Sequence, residues 1–538
     1  MKKALLLFVC SLLLLGGLTG CGPKTTTEGG EKVLKVGLAS KTNVLDLPIP
    51  TDTVTHFVMT QLYEGLFSLG SDGNAVNELV DTYTLSDDGT VYTFTLVDAN
   101  WSDGEPITAY DFEYGIKRSL YFGVGAAEYV SLITDYVVNA DKIAAETPLD
   151  QMGDVGVKAL DDKTLEITIN VPCNYFLTLL SQKVYFPLRE DFAPLGDSSW
   201  ADGPDHPFNG PFKIESNKIG EEIVLVKNDE YRNADKVNLD KVILTIMEDQ
   251  AAQLNAYQTG DIDFAMNVDQ AVIKTLPENE IFVVPSIVNY QIVFNVENTN
   301  GTAPGLSDIR VRKALSMAVD RELIAATVAG VNIPLYGTVP VGLPGIDGDF
   351  RTEQDNAAKY QAVYDVEAAK ALMEEAGYNE NNRLKFVYTT NQNARHSDTA
   401  QLLQDMWREI YVDLEIEFKE FQVYLDDATN GTFESRRHAF SADYIDPVCY
   451  IELFTTDKLE TDYFSIPEYD ALVAASKLEA DNVKRLEMLH AAEKILVEDN
   501  VALIPLYSYS TGDLLKPNVT GFESAPDGTI YLRYADIK

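Results

Sequence analysis

The sequence predicts a mixed α/β protein divided among several domains, on three observations. Strand-like alternation and helix-like spacing follow one another over the whole length. Both kinds of segment carry their own start and stop signals. At 538 residues the chain is too long for a single hydrophobic core. Lys163–Val171 is the plainest strand: Leu165, Ile167, Ile169 and Val171 fall on one face, Glu166, Thr168 and Asn170 on the other. Asp161-Asp162 marks the turn before it, as Asp88-Gly89 does before a second strand beginning at Val91. A helix opens at Thr108, with Asp111 placed three residues on for a capping box. Another has both ends written in, Asp365 as N-cap and Gly377 just past the last turn. Val366, Ala369, Leu372, Met373 and Ala376 form its apolar stripe. Ser307–Ile324 reads as one further helix, with a stripe through Val311, Leu315 and Ala318.

The N-terminus reads as an export signal. Lys2 and Lys3 precede an apolar run, Ala4–Leu18, shorter than the ~20 residues a spanning helix needs. The run leads into Leu18-Thr19-Gly20-Cys21, which resembles the lipobox of bacterial lipoproteins. That implies a signal peptide over 1–20, a lipid on Cys21, a polar tether over 21–32, and a place on the outer face of the cell membrane. An ordinary cleaved signal with an incidental thiol is the other reading. Of the four cysteines, Cys10 and Cys21 belong to signal and anchor. Cys173 and Cys449 remain, as a disulfide or as two buried apolar thiols.

Acids outnumber bases 84 to 42, a formal net charge of −42. Such a chain is repelled by nucleic acid and by anionic headgroups, so nucleic-acid partners are excluded and the lipid alone is expected to hold it to a membrane. Because 46% of residues are hydrophobic, the chain folds rather than staying an acidic coil. It contains no HExxH, CxxC, P-loop or GxSxG motif and no EF-hand loop. The five histidines, His56, His206, His396, His438 and His490, are widely spaced. No catalytic residue, metal site or cofactor is therefore expected.

One acid stands apart. In Glu434–Pro447 (ESRRHAFSADYIDP), Phe440, Ala442 and Tyr444 alternate with Ser441, Asp443 and Ile445. On composition, Asp443 is one carboxylate among 84. Capping a turn, pairing with Arg436 or Arg437, and binding a ligand are all open to it.

Six stretches, in order, are similar to segments of the extracellular solute-binding proteins of peptide ABC importers (family 5). They are Asn100–Arg118 (NWSDGEPITAYDFEYGIKR), Phe208–Val242, Ala256–Phe264 (AYQTGDIDF), Asp308–Ile324 (DIRVRKALSMAVDRELI), Asn430–Pro447 (NGTFESRRHAFSADYIDP) and Leu503–Phe522. The resemblance covers essentially all of the chain after the tether, and Ala442-Asp443-Tyr444 with Asp446-Pro447 brings it nearest to the oligopeptide-binding lipoproteins.

The resemblance implies a two-lobed, periplasmic-binding-protein-like fold of the large three-domain kind. Lobe I is discontinuous, over 33–63, 188–289 and 506–538; an additional small domain occupies 64–187; lobe II is 290–505. A short peptide is enclosed as the lobes close about a hinge. Asp443 is then the group that binds the peptide's α-amino end, because an ammonium taken out of water needs a charge-assisted partner. The backbone around Ser441 and Ala442 supplies strand-like hydrogen bonds, and peptide side chains are left in hydrated pockets. Phe440 stands where relatives have Trp, a ring on the ligand or beneath it. Ser441 stands where some have Cys. Arg437 matches an arginine that can meet the peptide carboxylate, although a local acid is an equal partner for it. Arg395 and His396, read as part of a polar loop, lie near a basic residue that binds the C-terminus in relatives. Tyr129, Tyr507 and Tyr509 fall in stretches that line the cleft. Trp101 and Asp103 read as a structural turn. The implied protein is a monomeric, lipid-anchored receptor that does no chemistry and delivers peptides to an ABC importer permease. Alternatives are the same fold with another solute (a metal chelate, an opine or a sugar), a secreted hydrolase, and a sensor or adhesin. Asp443 argues against sugars, which carry no ammonium.

Overall fold

In the computed structural model of the chain, residues 30–49, 52–123, 128–297, 301–352, 363–442, 444–458 and 464–538 are described. The signal peptide, Cys21 and Asp443 lie outside these residues. Among the described residues no helix is long and apolar enough to cross a membrane.

The local signals produce the elements they announce. Asp365 accepts the Ala368 amide at 2.9 Å and starts the helix Val366–Glu375; Gly377, at φ 96°, ends it in a conformation that a side chain resists. The helix Ala109–Phe122 begins where Asp111 reaches back to the Thr108 amide at 2.8 Å. The stretch Ser307–Ile324 is not one helix. It breaks into Ile309–Met317 and Arg321–Thr327, because Asp320 accepts the Leu323 amide at 2.9 Å and caps the second piece afresh.

One eleven-stranded sheet organises both lobes. At one end lie Val412–Lys419, Leu384–Asn391 and Ser435–Ser441; at the other Phe264–Ala265, Val33–Leu38, Lys241–Ile246, Glu222–Lys227 and Phe212–Lys218. Two long antiparallel strands, Ile281–Phe294 and Leu503–Leu515, join the two groups. Their first half pairs Ile281–Pro285 with Ser510–Leu514, beside the lobe I strand Phe264–Ala265. Their second half pairs Asn289–Val293 with 503–508, beside Ser435–Ser441. Between the halves the register slips at Pro285/Asn289. Proline has no amide for the ladder, and the Ser508 hydroxyl bonds the Ser286 and Val288 carbonyls at 3.1 and 3.3 Å instead. This irregular step is where the sheet passes from lobe to lobe.

Separate cores fill the two sides. Leu34, Val36, Phe57, Leu62, Phe212, Leu225 and Leu244 pack lobe I, closed by Leu532 and Ala535 from the C-terminus. Residues within 66–185 form their own core around the four-stranded antiparallel sheet Val80–Leu85, Val91–Leu96, Thr164–Thr168 and Val157–Asp161. Trp101 is fully buried in it, and Asp103 pairs with Arg189 at 2.5 Å, so the WSDG turn is structural. Tyr290, Ile292, Leu403, Trp407 and Tyr507 belong to the lobe II core. Cys173 and Cys449 are both buried free thiols, not a disulfide.

Candidate ligand-binding cleft

Where the lobes and the small domain meet, they leave a cleft of ≈ 350 Å³. Lobe I supplies Thr53, His56, Phe57 and Thr60 from one face of the helix Thr53–Leu62. The turn Asp527–Ile530 and the hinge residues Ser286 and Ile287 close two further sides. The small domain contributes Tyr129, whose ring stands edge-on to His56 at 6.0 Å. Lobe II contributes Ser441, Ala442, Tyr444 and Ile445. Ser441, the last residue of its strand, pairs with Val288 and is exposed, so the chain leaves the sheet at the cleft wall.

The segment beyond Ser441 is held from behind. Tyr444 stacks on Tyr175 of the small domain at 4.6 Å and 10°, and the Tyr175 hydroxyl meets that of Tyr136 at 3.3 Å. Asp446, only 2% exposed, takes both guanidinium nitrogens of Arg485 at 2.9 and 2.8 Å and accepts the Val448 amide at 2.9 Å. The second acid of Asp443-Tyr444-Ile445-Asp446 is thus fully engaged in fixing the loop. Phe440 is half-buried with its ring turned edge-on to Tyr450 at 5.4 Å, and its amide donates to Asn289 Oδ1 at 3.0 Å. The ring packs on lobe II and is not part of the cleft wall.

The same strand carries a second polar centre four residues back. Arg437 is 8% exposed, its Nε is buried without a hydrogen-bond acceptor, and among the described residues no carboxylate pairs with it. Its guanidinium carbon lies 5.2 Å from the Tyr424 ring and 5.9 Å from Tyr290. Tyr290 stacks on Tyr507 at 4.7 Å, Tyr507 meets Tyr509 edge-on at 5.5 Å, and Arg395 lies 4.5 Å over Tyr509. Tyr507 is fully buried, so it supports this cluster from below; Tyr509 is partly exposed.

Arg395 and His396 are not in a loop. They form the first turn of the helix Ala394–Arg408, capped by Asn393, which accepts the Arg395 amide at 2.9 Å. The run of Asn and Ser around them looks like a loop in sequence because capping and turning use the same residue types. His396 is buried 5.6 Å from Tyr290. Burial pushes its imidazole down to about 4, with the charges of Arg437 and Arg395 acting the same way. It is therefore neutral at pH 7. Two arginines with no acid partner among the described residues converge on this neutral ring.

Sequence reasoning did not find His56, Phe57, Thr60 or the 527–530 turn, and it did not find Tyr290 or Tyr424. Only the pairing of distant strands brings these residues to the site. No cluster of His, Cys, Asp or Glu with the geometry to hold a metal occurs among the described residues.

Two α/β lobes joined by crossing strands over a cleft make this a solute-binding protein. Residues 74–460 match the bacterial extracellular solute-binding proteins, family 5, and the chain belongs to that family. It is 31% identical to the oligopeptide-binding protein OppA of Bacillus subtilis, over all of both chains. In three dimensions it matches the unliganded open form of MppA, a periplasmic murein tripeptide-binding protein, with a TM-score of 0.82 over 95% of this chain and 98% of that one, at 26% identity. Against Listeria monocytogenes OppA bound to peptide the TM-score is 0.62, over 95% and 100% at 28% identity.

Proposed function

We propose that the protein is a receptor that encloses short peptides with a free amino end between its lobes and hands them to the permease of an ABC importer. In this reading it acts as a monomer, catalyses nothing, and is held to the outer face of the membrane by a lipid on Cys21. The division into 33–63, 188–289 and 506–538, then 64–187, then 290–505 belongs to the same proposal; the separate cores of the lobes and of the small domain support it.

One observation carries the reading. A single strand, Ser435–Ser441, ends in the cleft wall and holds a buried guanidinium with no acid partner among the described residues. Arg437 and Ser441 are four residues apart, ~13 Å along a strand. That length suits an extended peptide of about four residues lying antiparallel or parallel to the edge. Asp443 takes the α-ammonium, and Arg437 with Arg395 takes the carboxylate. His396, neutral and buried, shapes the site without pairing with charge.

Calorimetry with unblocked peptides of about two to ten residues tests this. Binding that is lost on N-acetylation is expected, and so is a loss of about tenfold or more in Asp443→Asn. Full affinity in that variant removes Asp443 from the amine site. Absence of binding across the whole peptide set overturns the function. Mass spectrometry of the mature N-terminus tests the lipid: an unmodified Cys21 refutes the anchor.

A further inference from the structure

Behind the cleft lies a second, smaller and more enclosed cavity of ≈ 60 Å³ between lobe I, the small domain and the C-terminal turn. The two cavities share His56, Thr60, Gln182, Asp527 and Thr529 in their walls, so the second opens off the first. Its floor holds two buried acids, Glu64 and Glu78. Both are satisfied. Glu64 accepts Arg232 Nε at 2.8 Å and the Tyr231 hydroxyl; Glu78 accepts the Ser68 hydroxyl at 2.6 Å together with Arg232 and Arg533. Burial and the charge of Glu78 push the Glu64 carboxyl up to about 7, so these two acids and two guanidiniums leave no excess negative charge in the cavity.

Lys183 remains. It lines the cavity from the short turn Lys183–Tyr185, half-buried, and among the described residues no hydrogen bond or ion pair holds its ammonium. Asp527 is exposed, and its carboxylate is engaged by the Thr529 amide at 3.0 Å. Burial pushes the Lys183 ammonium down to about 8 even though the charge of Asp527, in the same cavity wall, pulls the other way without forming an ion pair. A charge so placed is costly unless an anion arrives. Among the groups a peptide carries, only carboxylates are anionic.

We propose that this cavity is a pocket of the peptide site and that Lys183 is its specificity-determining residue, holding a carboxylate of the bound peptide. The carboxylate comes from an Asp or Glu side chain or from the chain end of a very short peptide. The proposal rests on the peptide-binding reading and names the peptides that reading leaves open. Lys183 suits the task, since a single ammonium on a flexible stem follows a carboxylate wherever a side chain of either length sets it.

The test is calorimetry on the full mature chain and on Lys183→Met. The first set of probes is alanine tetrapeptides with Glu or Gln at each of the first three positions. The second is di- and tripeptides with a free or amidated C-terminus. At one position, wild type is expected to prefer Glu over Gln by about tenfold, and Lys183→Met to lose the preference while binding the Gln peptide as before. If the chain end is the source, amidation of the short peptides costs wild type about tenfold and the variant nothing. Equal affinity across every pair in wild type, with peptides still binding, overturns the pocket alone; so does a preference that survives in Lys183→Met. If no peptide binds wild type, the peptide reading falls and takes the pocket with it. An unchanged affinity of Lys183→Met for the Gln peptides shows that the variant is folded.

Discussion

Arg118 and Arg437 are both buried guanidiniums laid over aromatic rings, but their surroundings differ in one respect. Arg118 lies 4.8 Å over Phe122 and 5.4 Å over Trp200, and its two terminal nitrogens take both oxygens of Asp46 at 2.6 and 2.8 Å. The carbonyls of Pro194 and Asp197, at 3.3 and 3.1 Å, accept two more of its donors. Arg437 has rings on either side and no acid among the described residues. A buried charge inside a fold is expected to be paired by that fold. The arginine of the small domain ties it to lobe I, at residue 46 and at the segment around 197; the arginine of lobe II is the one proposed for the ligand.

Substitution separates the two roles. The largest effect is expected from Arg118→Met, which strands Asp46 in the lobe I core. It costs about 3–5 kcal/mol of stability, read from urea or thermal unfolding. A loss under about 1 kcal/mol contradicts a structural role. Arg437→Met is expected to behave in the opposite way. It removes an unpaired charge, so the unfolding midpoint holds or rises, while peptide affinity falls by about 1.5–3 kcal/mol in calorimetry. If it destabilises the fold as Arg118→Met does, the contrast between the two arginines is lost. The smallest effect concerns pH. The imidazole of His396 is held at about 4 in the fold against an ordinary 6.5. Between those values the unfolded chain takes up a proton that the folded chain refuses, so the stability present above about 6.5 drains away as pH falls toward 4. Arg437, Arg395 and Tyr290 are the groups that face the ring. Replacing His396 with Gln is expected to flatten that slope by on the order of 1–2 kcal/mol between pH 7 and pH 5. An unchanged slope means that the ring is not buried in its neutral form.

What sequence disclosed and what it withheld divide along the same line as local and distant contact. The caps at Asp365 and Thr108 act within three residues, and both are legible in the chain. Asp320 was missed as a break because an acid inside a helical pattern looks the same whether it faces water or caps a new turn. Asp443 and Asp446 sit three residues apart with identical chemistry. Asp446 is structural only because Arg485, 39 residues on, folds back onto it, and no local pattern announces that pairing. The site at Arg437 depends on Tyr290 and Tyr507, from strands joined across more than 200 residues. The family resemblance supplied Arg437 and Asp443 as candidates. It could not supply Lys183, whose position matters only because a cavity forms around it.

The continuous sheet through both lobes has a mechanical side. The two long strands that pass between the lobes lie side by side at its centre, with strands of each lobe bonded outside them. Lobes tethered by loose loops come apart and melt one at a time. Here a force pulling the lobes apart acts on a shared ladder, and either lobe can unravel only by stripping hydrogen bonds that also edge the other. Opening and closing are then expected to twist one ribbon about its irregular step at 285–289, and the two halves are expected to share a melting transition in calorimetry.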